Sequence, residues 1–139
     1  MEYTIYIVED QDLMRSSMRT YLSSEDDFTV VGTAESGEAA LRDLNEDVES
    51  LPDIVLVDVA LPGISGIELV QKLRAMHPDL TCLVLSGHAE ESYVEAAHGA
   101  GARGYVMKGK PDEYIKAIRV ILKGESYRSE AVASMWDEA

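Results

Sequence analysis

Asp53-Ile54-Val55-Leu56-Val57-Asp58-Val59-Ala60-Leu61-Pro62-Gly63 is the stretch on which the fold turns. Its central run is β-branched and apolar on both alternating faces, the pattern of a short strand covered on both sides in a parallel sheet. The run ends on a carboxylate and breaks at Pro62-Gly63. Asp58 therefore stands where the strand leaves the core, at the carboxyl edge of the sheet, where open α/β folds place their ligand crevice. Taken alone, the segment supports a second reading equally well, in which Asp58 only caps the strand and opens the turn.

Outward from this strand, strand-like and helix-like segments alternate. Tyr3–Val8 is rich in β-formers and runs into Glu9-Asp10, after which Met14, Met18, Tyr21 and Leu22 recur at helical spacing. Phe28–Ala34 reads as a second strand. Ser36 is placed to cap a helix with Leu41, Leu44 and Val48 on one face, and Pro52 ends that unit. Ser65-Gly66-Ile67-Glu68 has the form of a capping box, with Ile67, Val70 and Leu73 as the buried stripe of a helix to about Met76. Residues 80–85 form another doubly apolar run ending at Ser86-Gly87-His88, and an Ala-rich helix over about 90–98 is closed by Gly99-Ala100-Gly101. Tyr105-Val106-Met107 ends on Lys108. Pro111-Asp112-Glu113 then makes a favourable first helical turn, followed by Ile115, Ile118 and Leu122. The alternation predicts right-handed βαβ crossovers, hence an α/β fold with a doubly wound five-stranded parallel sheet and helices on both faces.

Composition limits what such a fold is for. With 139 residues, 46% hydrophobic and 27% charged, the chain is expected to form one globular domain burying about two thirds of its unfolded surface. No apolar run approaches the ~18 residues of a spanning helix, and Met1-Glu2-Tyr3-Thr4 lacks the basic start of a signal peptide. A cytoplasmic protein without membrane contact is expected. Cys82 is the only cysteine, which excludes an intrachain disulfide, and His77, His88 and His98 have no zinc-ligand spacing. The net charge of −14 is uneven: residues 1–102 carry 5 Lys/Arg against 20 Asp/Glu, and residues 103–128 carry 7 against 3. An acidic body repels phosphate backbones, so direct nucleic-acid binding is disfavoured. The basic segment reads as solvated lysines or as a partner face.

Parallel strands present their carboxyl ends on one edge, so the strand ends belong together. The first delivers Glu9 and Asp10, the third Asp58, the fourth Ser86 and the fifth Lys108. Three carboxylates in one crevice need a compensating cation, and hard oxygen ligands suit Mg²⁺. A hydroxyl and an ammonium beside that metal suit a phosphoryl group carried on a carboxylate.

With Glu9-Asp10, Asp58 followed by Leu61-Pro62-Gly63 and Gly66, Ser86-Gly87, and Gly101-Ala102-Arg103-Gly104-Tyr105-Val106-Met107-Lys108, the chain resembles the receiver domain of two-component response regulators over residues 3 to about 123. The resemblance implies the flavodoxin-like strand order 2-1-3-4-5. It implies a signalling switch, not an enzyme with an external substrate, that catalyses its own phosphorylation from small donors and its own dephosphorylation. Asp58 would accept a phosphoryl group from a sensor histidine kinase. Asp10, Asp58 and the backbone carbonyl of Ala60 would bind Mg²⁺, with Glu9 acting through water. Ser86 and Lys108 would hold the phosphoryl oxygens, Tyr105 would turn inward on activation, and Ala60 and His88 would modulate phosphoryl lifetime. Independently, the charge split suggests a homodimer through the fourth helix, last strand and last helix, with Glu90, Glu91 and Glu95 opposite Lys116, Arg119 and Lys123, or alternatively through the first and last helices with Arg15 and Arg19.

The wording around Gly104-Tyr105-Val106-Met107-Lys108 resembles the branch with a C-terminal LuxR-type helix-turn-helix, for which the residues after Gly124 are too few. Residues 1–124 are thus expected to be the receiver and 125–139 a tail or linker, with Val132, Met135 and Trp136 spaced for one amphipathic helix. The family's proline after the lysine is replaced by Gly109, which implies a looser loop and leaves Lys110 as a rival for the phosphoryl contact. Gly99-Ala100-Gly101-Ala102-Arg103-Gly104 matches a dinucleotide fingerprint only in letters, since it follows a helix and precedes a strand. A haloacid-dehalogenase-type phosphatase would need an acid where Ala60 stands. A pseudo-receiver that binds partners without phosphorylation is the remaining alternative, and the complete set of site residues argues against it.

Overall fold

The computed structural model describes residues 2–46 and 48–136. Strands β1 (Tyr3–Val8), β2 (Phe28–Ala34), β3 (Ile54–Asp58), β4 (Cys82–Ser86) and β5 (Gly104–Met107) alternate with helices α1 (Asp12–Ser23), α2 (Gly37–Glu46), α3 (Gly66–Met76), α4 (Glu91–Gly99) and α5 (Pro111–Leu122). All pairings are parallel. Strand alternation sorts the core into two layers. Ile5, Ile7, Leu56, Leu83, Leu85 and Val106 pack with Met18, Leu22, Ala117 and Ile118 of α1 and α5. Tyr6, Val8, Val55, Val57, Val84 and Tyr105 pack with residues of α2, α3 and α4. β3 is buried on both faces along its whole length, as its unbroken apolar run requires.

Two capping predictions hold at the atomic level. Ser36 Oγ accepts the Ala39 N–H at 3.1 Å, and Ser65 Oγ accepts the Glu68 N–H at 3.1 Å, each satisfying a donor that a helix start leaves unpaired. The helical face expected to reach Val48 does not: α2 stops at Glu46, and Val48 lies exposed in a separate 3₁₀ turn, Val48–Ser50. A tighter turn rotates side chains off the 3.6-residue face.

The expected five-stranded order 2-1-3-4-5 is corrected by a sixth strand. The order is β2-β1-β3-β4-β5-β6, with β6 at Tyr127–Arg128. The cause is the outer edge of β5, whose carbonyls would otherwise lack partners: Tyr127 N–H donates to Arg103 O and Ser129 N–H to Tyr105 O, both at 3.0 Å. After β6 the chain makes a 3₁₀ turn, Glu130–Met135, and buries Val132 and Trp136. The end of the expected tail, residues 137–139, lies outside the described residues. No described helix is long and apolar enough to cross a membrane.

Candidate functional site

Register decides which side chains meet. Val8 lies level with Val57, and Asp58 with Leu85, which is level with Val106. Glu9 therefore leaves β1 beside Asp58, and Lys108 begins two residues beyond that level, close enough for its stem to reach back. The ends are fixed by backbone bonds: Glu9 N–H to Ala34 O at 3.0 Å, Val59 N–H to Leu85 O at 3.0 Å and Lys108 N–H to Ser86 O at 2.8 Å. They surround an open cleft of about 520 Å³ whose lining includes Asp10, Asp58, Ala60, Ser86, His88 and Lys108.

The carboxylates of Glu9, Asp10 and Asp58 each offer an oxygen within 4.8 Å of the others. Glu9 and Asp58 are almost fully buried, 1% and 4% exposed, while Asp10 faces solvent. The compensating cation that such a cluster demands is Lys108 itself. Its Nζ donates to Glu9 Oε1 at 2.7 Å and to Asp58 Oδ2 at 2.8 Å. Burial pulls the Lys108 pKa down, but the hydrogen bonds and charges of Asp58 and Glu9 outweigh it and leave it raised, so the ammonium form persists. The remaining oxygens are engaged by the backbone: Glu9 Oε2 accepts the Gln11 N–H at 3.0 Å and Asp58 Oδ1 the Ala60 N–H at 3.2 Å. Three carboxylates against one ammonium leave the cluster two charges negative. An all-oxygen donor set of that charge fits a hard divalent cation such as Mg²⁺.

Ser86 lies on the alternate face of its strand. Its hydroxyl is turned away from Asp58, accepting the His88 N–H at 3.0 Å and donating to the His88 carbonyl at 3.2 Å. The same carbonyl accepts the Tyr105 hydroxyl at 2.8 Å. Tyr105 is fully buried, so its ring is already inward. Burial is the main cause of its raised pKa, opposed by the Ser86 hydroxyl and reinforced by Glu90 and Tyr93. Ser86, His88 and Tyr105 thus form one network on the α4 side, and Glu9, Asp58 and Lys108 another.

Lys110 does not compete for the cleft. It is exposed and lines a separate hollow with Tyr21, Asp112 and Tyr127. The loop expected to be loose without its proline is tied differently: Gly109 has φ +114° and donates its N–H to the Tyr114 hydroxyl at 3.1 Å. Proline can supply neither that dihedral nor that donor. Two supporting residues escaped the sequence reading. Tyr114 was one, because its partner is a backbone group. Arg15 was the other: its Nη1 donates to Glu9 O at 2.9 Å and its Nη2 to Asp12 Oδ1 at 2.6 Å. The helical Asp12-x-x-Arg15 spacing was the only signal for it.

Similarity to known proteins agrees with this geometry. The chain is 37% identical over 130 residues to the response regulator GacA of Pseudomonas viridiflava, covering 93% of this chain and 59% of that protein. It is 38% identical over 125 residues to the transcriptional regulatory protein DegU of Brevibacillus brevis, covering 88% of this chain and 51% of that one. It therefore spans little more than half the length of these curated relatives. The crystal structure of a LuxR-family two-component response regulator from Aurantimonas sp. SI85-9A1 superposes with a TM-score of 0.89 at 30% identity, over 97% of this chain and 95% of that one. Residues 5–119 match the family model described as the response regulator receiver domain. Relatives above 30% identity and a family match spanning both β1 and β5 lead to one conclusion: the chain belongs to the receiver domain family of response regulators.

Proposed function

We propose that Asp58 accepts a phosphoryl group from the sensor histidine kinase of a two-component system, with Mg²⁺ held by Asp10, Asp58, the carbonyl of Ala60 and, through water, Glu9. The observation that carries the reading is the Lys108 ammonium, 2.8 Å from Asp58 Oδ2, inside a carboxylate cluster that opens on a cleft. An Asp58 oxygen attacks phosphorus, the bond from phosphorus to the donor's imidazole nitrogen or acyl oxygen breaks, and its electron pair leaves with the donor. When bound, Mg²⁺ supplies positive charge for the phosphoryl oxygens. Lys108 then holds a phosphoryl oxygen in place of one carboxylate contact, and the Ser86 hydroxyl leaves His88 to donate to another. Ala60, small and exposed beside Asp58, keeps the approach open to donor and water, and His88 stands exposed at the rim. These two set the lifetime of the phosphoryl group.

Intact-mass measurement after incubation with acetyl phosphate and Mg²⁺ is expected to show one phosphoryl group per chain, and none on Asp58→Asn. Equal labelling of the two proteins would overturn the assignment. Within this reading the chain is a cytoplasmic switch. Any nucleic-acid contact belongs to a LuxR-type segment of a longer parent protein, not to residues 1–139.

The phosphorylated form also self-associates. Pairing the acids of α4 with Lys116, Arg119 and Lys123 loses Arg119, which is held in its own chain by Asp27 at 2.6 Å and Glu25 at 2.9 Å. The face of α1 and α5 is the better candidate, since Leu13 there is 81% exposed. Light scattering should show a mass increase with beryllofluoride and Mg²⁺ that Leu13→Asp abolishes; an unchanged monomer would remove the dimer.

A further inference from the structure

Residues 127–136, which follow α5 after a four-residue link, cover Tyr105 and are held by it. Ser129 is buried and sits at the centre of the attachment. Its N–H donates to Tyr105 O at 3.0 Å, its Oγ accepts the Met107 N–H at 2.9 Å, and its hydroxyl donates to Glu113 Oε1 at 2.9 Å. The other oxygen of Glu113 accepts the Tyr127 hydroxyl at 2.8 Å. Beyond Ser129, Val132 and Trp136 join the buried cluster that contains Tyr105, Val94 and Ala97, and the Trp136 ring lies 4.3 Å from that of His98 on α4. Tyr105 thus has its hydroxyl fastened to the β4–α4 loop and its backbone fastened to this segment.

We propose that residues 127–136 are a latch that keeps Tyr105 inward, and that a phosphoryl group on Asp58 tightens it. The inference rests on the reading of Asp58 given above and adds a regulatory element to that site. An outward Tyr105 ring would have to leave the layer that Val132 and Trp136 help to close, so a docked latch and an outward ring exclude one another. The direction follows from the His88 carbonyl, which now has two hydroxyl donors, Ser86 at 3.2 Å and Tyr105 at 2.8 Å. When Ser86 turns to the phosphoryl oxygens, Tyr105 becomes the one remaining side-chain donor to that part-buried carbonyl. Losing it would then leave that carbonyl with no side-chain donor from the described residues. The inward ring is held more firmly, and whatever depends on it docks more firmly too. Linkage makes the effect reciprocal: a docked latch must strengthen binding of the phosphoryl mimic by the same factor.

Hydrogen exchange at the Ser129 and Met107 amides tests this, with Trp136, the only tryptophan, as a fluorescent reporter. Saturating beryllofluoride and Mg²⁺ should slow both amides by about 5- to 150-fold, the usual range for coupling between two sites. Trp136 emission should move to the blue. Ser129→Ala and, separately, Trp136→Ala should weaken beryllofluoride binding by a factor in the same range while the far-ultraviolet circular dichroism spectrum is retained. Bound beryllofluoride seen by fluorine NMR, with unchanged or faster exchange at both amides, would overturn the latch and leave Asp58 standing. Absence of both bound beryllofluoride and a mass gain from acetyl phosphate would remove the Asp58 reading and the latch together.

Discussion

Lys108→Ala is expected to melt far below the parent in the presence of a chelator. Glu9 and Asp58 are nearly inaccessible, and the Lys108 side chain is itself only 19% exposed, so the substitution strands two buried carboxylates against each other. Removing one partner of a buried pair costs about 3–5 kcal/mol, which for a chain of this size lowers the melting temperature by roughly 10–20 °C. Adding Asp58→Asn to Lys108→Ala should recover much of that loss, because residues in one network do not contribute additively. A cost below about 1 kcal/mol, the value of an exposed ion pair, would show that the bridge is solvated.

The same bridge sets an alkaline limit. The Lys108 pKa is raised above its ordinary 10.5, so its contribution is complete below that pH and is lost as pH rises through the folded value. Parent stability should therefore fall more steeply above pH 10.5 than that of Lys108→Ala. Phosphoryl uptake by the variant should drop by about 10²–10³, the usual effect of deleting one preorganised donor.

Gly66→Ala is expected to be nearly as damaging, for a steric reason. The first turn of α3 presses on the end of β3: Gly66 N–H donates to Val59 O at 3.0 Å. A Cβ at Gly66 would overlap the Asp58 carbonyl oxygen and come within 2.8 Å of its carbon and 2.9 Å of Val59 Cα. All three are backbone atoms that no rotamer change can move aside. Overpacking of this kind costs about 1–3 kcal/mol or more, and relief requires displacing Asp58 itself. Urea unfolding should place the variant about 3 kcal/mol below the parent, with reduced phosphoryl uptake per folded molecule. Gly87→Ala is the control, since a Cβ there meets nothing within 4 Å. Equal stability of the two variants would contradict the close approach of α3.

Where the physics is local, the sequence was readable. The limits of β1, β2 and α3, and the caps at Ser36 and Ser65, follow from alternation, helical period and hydroxyl placement. The placement of the candidate residues was readable because parallel strands must share one edge, which brings Glu9, Asp10, Asp58, Ser86 and Lys108 to it from four separate segments. β6 was not readable, because two residues carry no alternation and Tyr127–Arg128 is a strand only through the open edge of β5. The resting partner of Lys108 was also hidden. The residue types require an ammonium near an anion, but the choice between phosphoryl oxygens and two carboxylates depends on side-chain positions. The contact at Gly109 was hidden for a similar reason: the missing proline was visible, and the Tyr114 hydroxyl that accepts the Gly109 N–H was not assignable.

Glu9 and Lys108 are joined at 2.7 Å although 99 positions separate them in the chain. A ribosome adding about 5–20 residues per second makes the lysine about 5–20 s after the glutamate, and throughout that interval the growing chain holds its acids without their ammonium. Long-range parallel pairing closes late in folding, so the buried carboxylates and their cation come together only once β5 has been laid beside β4. A nascent or half-folded chain consequently lacks the joined carboxylate–ammonium cluster. The cluster is thus a property of the finished fold and not of any stretch of the polypeptide.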